Sequence, residues 1–139
     1  MMSFTEAERE YLASQHLGRL STVDPKGAPQ NNPVGFSLND DLGTIDIGGM
    51  RLASSRKFRN IQSNPNVAFV IDDLVSFRPW RVRGLEIRGQ AETITGLEPQ
   101  HQHFSGELIR IHPRRILSWG IEPDKEGMQR RNVGPAVRS

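Results

Sequence analysis

The sequence predicts a mainly β fold: a small antiparallel barrel of six or seven strands with two short helices. Three observations carry this. Short apolar segments, alternating or continuous, recur at near-regular spacing from Leu17 to Trp119. Turn sequences such as DPKG (24–27) and NDDLG (39–43) separate them. Two short stretches carry helix signals.

The elements follow in chain order. Thr5 and Glu8 have capping-box spacing and Glu6 sits in the first turn, which predicts a helix over Glu6–Ser14. LGRLSTV (17–23) reads as a strand, and Pro25 and Gly27 suit a type I turn after it. APQNNPVGFSL (28–38) returns as a strand on which Val34, Phe36 and Leu38 alternate. Pro29 and Pro33 lack the N–H a ladder needs, so this strand requires a sheet edge or a bulge. TIDIG (44–48) puts Ile45 and Ile47 on one face, and the three segments together predict a meander.

Ser54 or Ser55 is the expected N-cap of a second helix, with Phe58 and Ile61 on its apolar face and Asn64-Pro65 as its stop. VAFVID (67–72) is continuously apolar, the pattern of a central strand buried on both faces. RPWRVRGLEIRGQAETI (78–94) alternates, with Leu85, Ile87 and Ala91 on one side and Glu86, Arg88, Gln90 and Glu92 on the other. GLEPQHQHFSGE (96–107) reads as a loop with at most one helical turn. LIRIHPRRILSWGIE (108–122) predicts a last strand pair kinked at Pro113. The polar tail beyond it is expected to be loose, with the capacity to fold over a ligand.

At 139 residues the chain suits a single domain with an ordinary core, and it contains no internal repeat. A hydrophobic content of 35% against 24% charged residues is that of a folded soluble protein. No run approaches the apolar length of a membrane span, and MMSFTEAERE has no apolar signal-peptide core, so a cytoplasmic location is expected. Without cysteine there is no disulfide, thiolate nucleophile or Cys-based metal site. The pI of about 9.5 reflects how little titrates above neutrality. The net charge of +2 argues against nucleic-acid binding. Arginine outnumbers lysine by fifteen to three, and its planar fork suits phosphate and carboxylate, although a compositional bias of the genome would produce the same ratio.

The stretch SSRKFRN combines Ser54, Ser55, Arg56 and Lys57 at the predicted start of the second helix. The first amides of a helix are unpaired and its dipole is positive there, so cations in that turn disfavour the helix and favour a bound anion. A phosphate would explain the serines, the cations and their position together; a solvated basic turn is the other reading. APQNNPVGF offers the Asn31 and Asn32 amides on an irregular backbone, suited either to the polar edge of a flat heterocycle or to a turn-rich strand start. In FRPWRVRG, Trp80 among Arg78, Arg81 and Arg83 could stack on a ring or on nucleic-acid bases, or pack at a strand edge. Trp119 reads as core or pocket wall. His101, His103 and His112 read as solvent-exposed loop residues, not metal ligands. The hydrolase elbow, P-loop and dinucleotide fingerprint are all missing, and no general acid stands out.

Taken together, LGRLSTVDPKGAPQNNPVGF, TIDIGG, SSRKFRNIQSNPNVAFVID and WRVRGLEIRGQAE resemble the pyridoxamine-phosphate-oxidase-like, FMN-binding split-barrel superfamily. The S-R-K-x-x-N-x-x-x-N-P-x-V pattern is the most specific part. RGLEIRGQAE and IRIHPRRILSWG are similar to the bacterial branch of coenzyme F-420-dependent (deazaflavin) oxidoreductases. The resemblance runs from about Glu6 to Glu122 and implies a six-stranded split barrel, dimerised with itself, with two cofactor sites in the interface. It implies that Ser54, Ser55, Arg56 and Lys57 hold the cofactor phosphate, and that Asn31, Asn32, Pro33, Val34 and Gly35 lie beside the tricyclic ring. It also implies that Arg78, Trp80 or Trp119 completes the site from the other subunit. The chain is short and has no recognisable C-terminal pyridoxal-phosphate segment, which argues against vitamin B6 oxidation.

The expected reaction is hydride transfer between reduced F-420 and an electron-poor small molecule such as an enone, quinone or tetrapyrrole. Arg51, Arg59 and the Arg130-Arg131 pair are candidates for the glutamate-bearing coenzyme tail. The alternatives are an FMN-dependent reductase or oxidase on the same fold, which needs no such extra cations, and a non-catalytic carrier of a flavin or haem-type ligand.

Overall fold

A computed structural model describes residues 3–98 and 105–134. Helix α1 (Glu6–Ser14) starts where the capping box puts it: Thr5 Oγ1 accepts the Glu8 amide at 3.2 Å and Glu8 Oε1 accepts the Thr5 amide at 2.9 Å. Strands β1 (Leu17–Val23) and β2 (Pro29–Gly35) pair antiparallel across a turn in which the Gly27 amide donates to the Asp24 carbonyl at 2.9 Å. In the sheet, β2 pairs with β1 alone, the edge position that Pro29 and Pro33 demand.

The expected strand over 28–38 is in fact two. It breaks at Phe36 into β2 and β3 (Ser37–Asn39), and β3 pairs with β4 (Thr44–Ile47), so no simple meander forms. The sheet order is β2-β1-β5-β6-β7-β4-β3, with β8 added to β7. Its two end strands are therefore one residue apart in the chain, and a sheet joined in that way must curl back on itself. Phe36 marks the junction, its ring edge-on to the core residue Phe69 with centroids 5.2 Å apart. The result is a curled antiparallel half-barrel with eight strand segments among the described residues, against the six or seven expected.

Strand β5 (Asn66–Ser76) is central, but it is buried on one face. Val67, Phe69 and Ile71 point into the core, whereas Ala68 and Val70 are half-buried. A continuous apolar run sets a strand's place in the sheet without fixing what covers its second face. Strand β6 (Arg81–Ile94) turns Leu85, Ile87 and Ala91 inward, as its alternation requires. Strand β7 is a single twelve-residue strand (Leu108–Trp119), not a strand pair. Its register against β6 slips so that Arg88 faces Arg115 while Gly89 faces Pro113, leaving Arg114 as the extra residue of a bulge. The bulge absorbs the donor that Pro113 lacks.

The tail is not loose through its first half. β8 (Met128–Asn132) pairs with β7, and Arg131 reaches the buried Glu8 with two nitrogens, each 2.6 Å from a carboxylate oxygen. A second buried pair, missed in the strand pattern, joins Asp46 of β4 to Arg110 of β7 through two bonds of 3.0 Å. Residues 95–98 and 105–107 form neither helix nor strand; His101 and His103 lie outside the described residues. His112 is a strand residue of β7 paired with Glu92, not a loop histidine. No helix among the described residues is long and apolar enough to cross a membrane.

Candidate functional site

Helix α2 (Arg56–Ser63) follows a tight 3-10 turn over Leu52–Ser54. Arg51, which opens that turn, has the left-handed backbone φ 52, ψ 40. The turn is held from outside: the Leu52 amide donates to Ser105 Oγ at 3.2 Å and the Ala53 amide to Glu107 Oε1 at 3.1 Å. Ser55 is the N-cap. Its Oγ accepts the Phe58 amide at 3.4 Å and donates to the Leu52 carbonyl at 2.6 Å. Ser54 Oγ donates to the Arg51 carbonyl at 2.9 Å. The two serines are thus first of all residues that shape this turn.

The amides of Arg56 and Lys57 have no acceptor among the described residues, and the first turn holds no acid. This turn therefore presents donors and positive charge alone, the reverse of α1, where Glu6 and Glu8 occupy the first turn.

Beside it opens a recess of about 630 Å³ lined by Gln30, Asn31, Asn32, Ser55, Arg56 and Lys57. Two segments that the sequence singled out separately, NN on the edge strand and SRK on the helix, line one recess. The remaining candidates lie elsewhere. Ser54 is used in its own turn, and Arg51 and Arg59 are exposed on either side of the lining residues. Pro33 and Gly35 are exposed further along β2, opposite Arg19 and Leu17. Val34 is only 7% exposed, so its side chain belongs to the core and only its backbone is left to face a ligand.

Arg78 and Trp80 sit in the exposed β5–β6 hairpin turn, where the Trp80 and Phe77 rings meet at 5.8 Å and Arg78 lies 5.6 Å from the Phe77 centroid. Trp119 is half-buried against Gly84, its strand partner. None of these three lines the recess of its own chain. Arg131, expected as a cation for the coenzyme tail, is paired with Glu8.

Two sets of side-chain contacts escaped the sequence reading. Asn60 of α2 is 2% exposed and donates both N–H bonds of its side chain, to Thr22 Oγ1 and Gln30 Oε1, each at 3.0 Å. It ties the helix to β1 and β2 just where the recess opens; its signal was a polar residue between Phe58 and Ile61 on the apolar face. At the base of the β5–β6 hairpin, Tyr11 Oη donates to Asp73 Oδ1 at 2.7 Å and Arg83 Nε donates to the same oxygen at 2.8 Å. Arg83 holds the Asp73 carboxyl below its ordinary range, while burial and the bond to Asp73 push the Tyr11 phenol well above its own. Asp73 and Arg83 are opposed in one hairpin, but Tyr11 is 62 residues from Asp73 and leaves no local signature.

The recess can bind but offers little acid–base chemistry. Its lining contains amides, a hydroxyl, a guanidinium and an ammonium, with no carboxyl, imidazole or phenol. It suits an acceptor-rich anion such as a phosphate, with two carboxamides left for the polar edge of a ring.

Over residues 4–133 the chain matches the family described as pyridoxamine 5'-phosphate oxidase. It is 46% identical over 134 residues to the 5a,11a-dehydrotetracycline/5a,11a-dehydrooxytetracycline reductase of Streptomyces rimosus, covering 95% of this chain and 94% of that protein. A conserved hypothetical protein of Mycobacterium tuberculosis superposes with a TM-score of 0.67 at 24% identity, over 86% of this chain and 87% of that one. An F-420 reductase superposes with a TM-score of 0.58, also at 24% identity, over 77% of this chain and 94% of that one. The structural likenesses establish the split-barrel fold, and with the family match and the reductase relative they show that this chain belongs to the pyridoxamine 5'-phosphate oxidase family.

Proposed function

We propose that the chain is a reductase that holds reduced coenzyme F-420 in the recess and delivers hydride to an electron-poor, conjugated small molecule of the enone kind. The observation that carries this is the donor-only first turn of α2, with Arg56 and Lys57, facing Asn31 and Asn32 across one recess. When bound, the deazaflavin supplies hydride from its C5 carbon. The chain's own residues bind and orient. Arg56, Lys57 and their amides receive the phosphate, Asn31 and Asn32 meet the ring edge, and Ser55 keeps the turn in shape. Holding the two carbons about 3–3.5 Å apart is then the main catalytic contribution. Saturating a carbon–carbon double bond takes the hydride at one carbon and a proton at the other. The lining contains no acid, so the proton comes from water.

The substrate class rests on the Streptomyces rimosus relative, whose name specifies reduction of a dehydrotetracycline. The reading includes a homodimer in which the hairpin carrying Arg78 and Trp80, or Trp119, closes the site across the interface. Arg51 and Arg59 flank the turn and would serve the glutamate tail. FMN is the alternative occupant: it ends at its phosphate and would fill the same recess without them.

The test is separate fluorescence titrations with F-420 and FMN, on wild type and on Arg56→Ala/Lys57→Ala. Ser55→Ala is a poor probe, since loss of the cap alone costs about 1 kcal/mol. Each charge-assisted bond contributes about 1.5–3 kcal/mol, so the double variant should bind at least tenfold more weakly. Unchanged affinity would remove the phosphate site. Preference for FMN over F-420 would keep the site and change the cofactor.

A further inference from the structure

We infer that Gln30 is a ligand-binding residue of the recess and that Asn60 is the residue that positions it. The inference rests on the cofactor placement proposed above and adds a donor that the SRK turn does not contain.

Asn60 is a buried carboxamide in the second turn of α2, and a buried amide needs partners for its polar atoms. Both of its N–H bonds leave the helix, one to Thr22 Oγ1 and one to Gln30 Oε1. Thr22 and Gln30 are register partners on β1 and β2, so their side chains stand on the same face of the sheet and Asn60 bridges the pair. The bond to Asn60 occupies the carbonyl end of the Gln30 side chain. The opposite end, the two N–H bonds on Nε2, has no acceptor among the described residues, while Gln30 lines the recess beside Arg56 and Lys57.

A free glutamine amide could rotate and offer either a donor or an acceptor. Here Asn60 fixes the choice, and the recess receives an uncharged, oriented donor. Together with the α2 amides and the two cations, it selects an occupant that presents oxygen acceptors at this point: a phosphate oxygen or a ring carbonyl. Since Asn60 belongs to the helix that carries Arg56 and Lys57, the same contact sets the distance between the edge strand and the anion-binding turn.

The test is the affinity of Gln30→Leu for F-420, FMN and riboflavin, with far-UV circular dichroism to check folding. F-420 and FMN should bind about tenfold more weakly, the ordinary effect of losing one hydrogen bond to a charged or strongly polar acceptor. A loss for F-420 and FMN but not for riboflavin identifies the phosphate as the acceptor; an equal loss for riboflavin identifies the ring. In folded wild type, the Gln30 side-chain amide resonances, assigned by their disappearance in Gln30→Leu, should shift when FMN is added.

Asn60→Asp supplies only acceptors and turns the Gln30 amide around. It should weaken F-420 binding in wild type and add nothing in the Gln30→Leu background, whereas a merely structural role would add in both. If Asn60→Asp does not fold, Gln30→Leu and the amide shift decide alone. Normal affinity in Gln30→Leu with weakened binding in Arg56→Ala/Lys57→Ala would overturn the role of Gln30 and leave the recess in place. Normal affinity in both would overturn the recess reading itself.

Discussion

Replacing Arg131 with Met should cost the fold about 3 kcal/mol and leave F-420 affinity unchanged. In the native chain two guanidinium nitrogens each lie 2.6 Å from a Glu8 oxygen, and Nη2 lies 2.5 Å from the Ser3 carbonyl. The Glu8 side chain is 3% exposed, and one of its oxygens also accepts the Thr5 amide. Removing the guanidinium leaves a buried carboxylate with that single backbone donor. Losing one partner of a buried pair costs about 3–5 kcal/mol. Arg131 itself is 37% exposed, so water can enter where it stood, and Met retains the apolar stem; both place the value at the low end.

That is a large share of the roughly 5–15 kcal/mol available to a domain of this size. With a urea slope of about 2 kcal/mol per molar, the unfolding midpoint should fall by about 1.5 M. A fall under about 0.5 M would mean that the pair behaves like an exposed surface pair and that β8 is not held by Glu8. A tenfold loss of F-420 affinity in the folded variant would return Arg131 to the ligand and refute the separation of tail from site.

Two further outcomes follow from packing and titration. Tyr11 is the single tyrosine, and its raised pKa means that the fold favours the neutral phenol. The stability it contributes is complete below about pH 10 and is lost as pH rises beyond that ordinary value. Phenolate absorbance should stay silent at about pH 11 while circular dichroism remains native, and an ordinary titration in the folded protein would refute the buried Tyr11–Asp73 bond. Gly84→Ala would put a Cβ 2.4 Å from Trp119 Cζ2 and 2.6 Å from Cε2, forcing the indole to move. In a Trp80→Phe background it should shift Trp119 fluorescence and cost about 1–3 kcal/mol; unchanged emission and stability would show that the indole is not packed there.

The elements legible in the sequence are those whose cause is local. The capping box at Thr5 and Glu8 lies within four residues, and α1 begins where it predicts. Ser55 and Asn64-Pro65 bracket α2 for the same reason: caps and prolines act on the backbone next to them. The prolines of β2 restrict it to an edge whatever its neighbours are, and it occupies one. The chemical character of the SRK turn was legible too, since cations without acids in a first turn are visible in four residues.

What the tertiary structure decided are choices of partner. Period and polarity specify which face a residue shows, but not which element will cover it. The break at Phe36 became necessary once β2 and β3 found partners at opposite ends of the sheet, and the bulge at Arg114 once β7 had to match β6 past Pro113. Arg131 and Glu8 are 123 residues apart, and Tyr11 and Asp73 are 62 apart. At such separations the pairing is fixed by the packed core that brings the two groups together. The recess combines both kinds of information. Its two halves were visible as local sequence, whereas their meeting depends on Asn60 reaching from α2 to Gln30, thirty residues earlier in the chain.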